Sequence, residues 1–200
     1  MPIKNIAIFG FSESDPKDPL YKDAYDVSAE IAKAGYTIVN GAGPGVMRAS
    51  TEGAHSSGGK VTGITFYPRD MTFFEGRDPQ NKVDELYELP DYVQRTLRML
   101  EAGDMYIIFN GGTGTLSEFA MAWALARLYF GHHKPFILYG GFWYPIMEEI
   151  TRLMKIRKQE LEVYKIVVEP QDVVPAIKEF EEMMEKNGDH DHEKKSPFRI

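Results

Sequence analysis

The stretch NGGTGTLSE, Asn110 to Glu118, packs three glycines, two threonines and a carboxylate into nine residues. It follows the apolar run MYIIFN and leads into a helical pattern. At a strand-to-helix junction the first backbone N–H groups have no intrahelical acceptor, and the helix dipole adds partial positive charge. Gly111, Gly112, Thr113, Gly114 and Thr115 could therefore hold an anion such as a phosphate, with glycine letting it approach the main chain closely. Glu118 has two readings. Thr115 with Glu118 fits S/T-x-x-E, a capping box that turns the carboxylate back onto the helix start. Alternatively, a carboxylate one helical turn behind a phosphate loop faces a ribose held there. The spacing leaves both open.

A second glycine loop, NGAGPGVM, follows the run YTIVN and also opens a helix, offering Gly43 and Gly45 as further ligand-facing positions. Either loop alone could be a tight turn that binds nothing. Two of them at the carboxyl ends of strands in one parallel sheet lie where ligands of such folds bind. Neither loop reads GxxxxGK[ST] or GxGxxG, which disfavours an ATPase or a dinucleotide dehydrogenase. In PDYVQRTLRMLEAG, Val93, Leu97 and Leu100 form an apolar stripe on a helical wheel. Arg95 then points away, beside Tyr92 and Met99, either solvated or on a second, semi-apolar face.

The elements that must position these residues alternate regularly. Strand-like runs at Lys4 to Phe9, Tyr36 to Asn40, Val61 to Phe66, Met105 to Asn110 and Pro135 to Gly140 are interleaved with helical patterns. The helices are expected at about Pro19 to Ala34, Val46 to Ser56, Thr115 to Tyr129 and Tyr144 to Lys155, with a last strand and helix carrying Val173, Ile177, Phe180 and Met184. Strands without polar alternation, such as IAIF and YIIF, suit a parallel sheet buried on both faces. The expectation is an α/β fold, a doubly wound and mostly parallel sheet with helices on both faces, forming one Rossmann-like domain over residues 1–187. Residues 67–90 break the rhythm and read as a long functional connection, with Phe73 and Phe74 able to close over a ligand or anchor the loop. Residues 188–200, with His190 and His192, have the composition of a disordered tail.

The 200 residues are 43% hydrophobic and carry a formal net charge of −7. The acidic balance disfavours a protein that grips nucleic-acid backbone. Without cysteine, there is no disulfide framework, Cys-based zinc site or thiol nucleophile. The apolar runs are short and the N-terminus lacks a signal-peptide layout, so the expectation is a cytoplasmic protein with no membrane role. His132, His133 and Lys134 sit at a helix end, where the dipole favours cations.

These motifs resemble the LOG (Lonely Guy) family of cytokinin riboside 5′-monophosphate phosphoribohydrolases, of LOG/SLOG type, whose signatures are GGGxxGLM, PGGxGTxxE and MHxRK. Here GAGPGVM spans Gly41 to Met47 and NGGTGTLSE spans Asn110 to Glu118. Ungapped alignment from the second motif places the family's catalytic arginine on Arg95 and its glutamate on Glu118, with Met99 and Asp104 also coinciding. The opening IFGFSES resembles the family's FCGSS, retaining Ser12, and YPRDM resembles MPREI, placing Asp70 at a substrate-contacting position. Asn110 replaces a proline, Gly10 a cysteine, Val93 and Thr96 the His and Lys of MHxRK, and Ala124 a substrate-facing threonine. The resemblance implies hydrolysis of a nucleoside 5′-monophosphate such as AMP or a cytokinin riboside monophosphate, without metal or organic cofactor, by a homodimer. A noncatalytic nucleotide carrier or sensor would use the same loops.

Overall fold

The computed structural model describes residues 3–67, 76–131 and 133–187. Asp70, Phe73, Phe74, His132, His190 and His192 lie outside the described residues. The chain order is β1 (Asn5–Phe9), α1 (Pro19–Lys33), β2 (Thr37–Asn40), α2 (Val46–Ser56), β3 (Val61–Phe66), β4 (Glu85–Leu89) and α3 (Tyr92–Ala102). It continues through β5 (Met105–Ile108), α4 (Thr113–Leu128), β6 (Phe136–Tyr139), α5 (Trp143–Leu153), β7 (Tyr164–Val167) and α6 (Pro170–Asn187).

The strands form one seven-stranded sheet in the order β4-β3-β2-β1-β5-β6-β7. Every pairing is parallel, so the "mostly parallel" expectation sharpens to an all-parallel sheet. Successive residues of the central strands feed opposite cores, as the period of two requires. Ile6 and Ile8 join α1, α2 and α6 through Tyr21, Val27, Ala49, Ile177 and Phe180. Ala7 and Phe9 join α3, α4 and α5 through Met99, Leu100, Phe119, Ala122 and Met147. Burial on both faces explains the unbroken apolar runs of β1, β5 and β6, and makes the sheet doubly wound.

The chain runs outward from β1 to β4, then returns to place β5 on the other side of β1. That reversal is the switch point at which loops diverge beyond the carboxyl ends of the strands and leave a crevice. The loops after β1 and β5 both open there, with the loop after β2 beside them.

Two expectations are corrected. The stretch 67–90 is not wholly a connection, because ELYEL forms the edge strand β4, in register with β3 from Thr62↔Glu85 to Phe66↔Leu89. Its residues are largely exposed, which removes the apolar run that marks the other strands, and glutamates on an edge discourage further pairing. The wheel for α3 holds at Leu100, which is buried, but fails at Val93, which is exposed, while Thr96 and Met99 are buried. The inward stripe runs through Tyr92, Arg95, Thr96, Met99 and Leu100, at i, i+3, i+4, i+7 and i+8, with polar side chains at its N-terminal end.

Candidate active site

The first turn of α4 begins at Thr113, with Gly112 as N-cap and no side-chain cap. The first intrahelical bond from this turn runs from the Leu116 N–H to the Gly112 carbonyl at 3.0 Å. The amides of Thr113, Gly114 and Thr115 thus precede the hydrogen-bonded ladder, and Gly111, Gly112, Thr113 and Gly114 are exposed. The glycines differ in what demands them. A Cβ on Gly111 would lie 2.2 Å from the Thr115 hydroxyl oxygen and 3.1 Å from the Phe11 nitrogen. Among the described residues, chain neighbours and the backbone of α4 apart, Gly112 has nothing within 4 Å of such a carbon and Gly114 meets only the Tyr92 hydroxyl at 3.5 Å. Neither is required by packing among the described residues.

Because α4 starts at Thr113, Thr115 is inside the helix and cannot be the N-cap of a capping box. The capping reading of Glu118 therefore fails. The Glu118 side chain is 7% exposed and meets Arg95 Nη1 at 3.5 Å through Oε1. Burial pushes its carboxyl up to about 7, and the single Arg95 contact, which pulls the other way, does not offset it.

Arg95 enters the same space from α3. Its Nε donates to the Ile64 carbonyl at 3.3 Å, while Nη2 lies 3.6 Å from Met47 Sδ. The guanidinium sits 5.9 Å from the centre of the Tyr92 ring. With its side chain 12% exposed, Arg95 is not the solvated arginine that the wheel allowed. Its position depends on Gly41, where a Cβ would fall 1.7 Å from Nη2.

The second glycine loop is built differently. Gly43 and Gly45 are buried. A Cβ on Gly43 would meet the Met47 methyl at 2.5 Å, and one on Gly45 the Phe11 carbonyl oxygen at 2.3 Å, at a φ of +62°. Backbone contact and a positive φ require Gly45, whereas the near atom at Gly43 is the end of the flexible Met47 side chain. The loop is tied down by Asn40, whose Oδ1 accepts from the Ala42 N–H at 2.9 Å. Asn40 Nδ2 lies 3.0 Å from the Met47 carbonyl, 2.9 Å from Ser50 Oγ and 2.9 Å from Thr51 Oγ1. Asn81 Nδ2 donates to the Gly43 carbonyl from the far side at 2.8 Å.

Ser12 is buried in the β1–α1 loop, which joins the two glycine loops. The Phe11 N–H donates to the Asn110 carbonyl and the Phe11 carbonyl accepts from the Val46 N–H, both at 2.9 Å. Asp104 serves elsewhere: its Oδ2 accepts from the Lys4 and Asn5 amides at the start of β1. Lys134 does serve a helix end, that of α3, where Nζ donates to the Leu100 and Glu101 carbonyls at 2.9 and 2.8 Å. Burial lowers its ammonium to about 8. Sequence reasoning gave Asn40, Gly41 and Met47 no role in the site, and offered Tyr92 only as part of a semi-apolar face that could pack against a subunit or overhang a pocket. Their only signal was position beside the two loops and Arg95.

No helix among the described residues is long and apolar enough to cross a membrane. Two curated relatives are named cytokinin riboside 5′-monophosphate phosphoribohydrolase. The Mycobacterium tuberculosis protein is 33% identical over 58% of this chain and 59% of its own length. That of Rhodococcoides fascians is 33% identical over 50% of this chain and 49% of its own. This chain thus spans less than two thirds of either. Among solved structures, a molybdenum cofactor binding protein of Rippkaea orientalis superposes with a TM-score of 0.66 at 23% identity, covering 90% of this chain and 98% of that one. DNA processing protein A of Helicobacter pylori, described with a single-stranded DNA binding mode, superposes at 0.57 with 17% identity, over 88% of this chain and 81% of its own. What ties the site to one lineage is the match over residues 3–131, which takes in both glycine loops, Arg95 and Glu118: the chain belongs to the SLOG cluster4 family.

Proposed function

We propose that this protein hydrolyses the N-glycosidic bond of a nucleoside 5′-monophosphate, giving free base and ribose 5-phosphate. The observation that carries the reading is the pairing of an exposed helix N-terminus, with glycines its own packing does not require, and a buried carboxylate one turn behind it in contact with an arginine. The names of the two curated relatives support the same reaction class.

In this reading the amides of Gly112 to Thr115 and the Thr113 hydroxyl hold the 5′-phosphate and fix the ribose above Glu118. Ionised Glu118 stabilises positive charge developing on the ribosyl ring and takes a proton from the attacking water. Water supplies the new C1′ hydroxyl as the C1′–N bond breaks, and the departing base gains a proton. Arg95 orients Glu118 and favours its ionised form. Gly41 and Met47 hold Arg95 in place, whereas Gly43, Gly45 and Ser12 act as the frame. Asp70 remains a proposed substrate contact. A homodimer belongs to the same proposal, with the exposed Val93 and Leu116 as apolar surface for the second copy.

The test is incubation of purified protein with a panel of nucleoside 5′-monophosphates, including AMP and isopentenyl-AMP, with free base followed by chromatography. Base release abolished in Glu118→Ala and Arg95→Ala is expected. Tight nucleotide binding without release from any member would overturn the hydrolase reading in favour of a carrier or sensor.

A further inference from the structure

Tyr92, the first residue of α3, joins the two halves of the site without belonging to either. Its hydroxyl lies 3.0 Å from Ser117 Oγ and 3.4 Å from the Gly114 carbonyl oxygen. Ser117 Oγ itself donates to the Gly114 carbonyl at 2.7 Å. With that proton committed, the Tyr92 hydroxyl is the donor to Ser117 Oγ. Among the described residues, chain neighbours and the backbone of α4 apart, the hydroxyl is the one atom within 4 Å of where a Gly114 Cβ would stand. The same ring packs edge-on to Phe66 at 5.9 Å and lies beneath the Arg95 guanidinium.

The first turn of α4 needs such a brace. It has no side-chain N-cap, Gly112 and Gly114 add backbone freedom, and Gly111 to Gly114 are exposed. An anion site made of main-chain amides works only if those amides are already aligned, because ordering them on binding subtracts from affinity. The Tyr92–Ser117–Gly114 chain links α3 to this turn, alongside the Arg95–Glu118 contact further along both helices. It also sets the distance between the amides and Arg95, one helical turn further along α3.

We propose that Tyr92 is a positioning residue that preorganises the anion-binding turn of α4 through Ser117 and registers it against Arg95. This rests on the phosphate-binding part of the proposed function and adds a residue to it.

The test is titration of the full-length chain with ribose 5-phosphate for wild type, Tyr92→Phe, Ser117→Ala and the double variant, with thermal midpoints alongside. Tyr92→Phe keeps the ring against Phe66 and Arg95. Each single variant is expected to bind about fivefold more weakly, roughly the effect of one ordinary hydrogen bond. The double variant should bind no more weakly than the singles, because both remove one link. Midpoints should hardly move, whereas a merely stabilising hydrogen bond would lower the midpoint and leave affinity intact. Wild-type affinity in Tyr92→Phe, or penalties that add in the double variant, would overturn the proposal. A wild-type chain that binds ribose 5-phosphate but releases no base defeats the hydrolase reading alone. One that binds neither ribose 5-phosphate nor nucleotide defeats both.

Discussion

The two glycine loops look alike in sequence and are opposite in construction. GAGPG is buried, its glycines pressed against Met47, Arg95 and the Phe11–Ser12 backbone, and it is held by Asn40 and Asn81. In GGTGT, Gly111 alone is packed against protein, while Gly112 and Gly114 face outward. A glycine the fold cannot replace marks a frame. One the fold does not need, such as Gly114 inside the exposed first turn of α4 where alanine is the better helix former, marks a place kept clear for something else. The first loop positions Arg95, and the second presents amides.

The difference can be broken by substitution. Gly45→Ala forces a Cβ into the Phe11 carbonyl at a positive φ, two effects that together cost about 3 kcal/mol or more. Chemical denaturation should show a chain that is strongly destabilised or unfolded, and a midpoint near wild type would refute the frame assignment. Gly41→Ala aims its methyl at the Arg95 guanidinium. Its kcat/KM should fall by about tenfold or more, which is about 1.4 kcal/mol, and that loss should exceed the loss of stability.

Glu118 supplies a pH signature of comparable size. Its carboxyl rises from 4.5 to about 7 on folding, so the folded chain holds the proton more tightly than the unfolded one. The contribution of this group to stability should be fully present below pH 4.5 and be lost as pH rises through about 7, amounting to about 3 kcal/mol. Glu118→Gln should flatten that segment of the stability–pH curve. Identical slopes in the two chains would mean that Glu118 is not buried as described. If the carboxylate is the working form, the same titration makes kcat/KM rise through roughly pH 7.

The smallest effect has the opposite sign. Gly114→Ala meets no clash and improves helix propensity, so stability should rise by up to about 1 kcal/mol while ribose 5-phosphate affinity falls. Loss of stability would erase the contrast between the loops.

Much of this was legible in the sequence because the central strands are buried on both faces and their apolar runs are unbroken. NGGTGTLSE gave the turn and placed Glu118 behind it, while the pairing with Arg95 came from the resemblance to the LOG family and not from spacing. What escaped has physical causes. The edge strand β4 has no buried face to leave a pattern. The α3 stripe was misplaced because Arg95 and Thr96 stand within it, so the apolar wheel turned toward Val93, which is exposed. The capping box failed on a shift of the helix start by one half-turn, from Thr115 to Thr113, beyond what residue types encode. The different work of Gly41, Gly43 and Gly45 depends on neighbours brought in by α3 and the β1–α1 loop, and no local spacing records them.

The central claim is that the turn of α4 fixes a 5′-phosphate so that Glu118 can act on the C1′–N bond. Its most direct test compares base release from AMP and from adenosine, which differ only in that phosphate. Release from AMP at least about a hundredfold faster in kcat/KM, corresponding to nearly 3 kcal/mol of phosphate binding used in the transition state, is the expected result. Equal rates for the two, or release from adenosine alone, would contradict it.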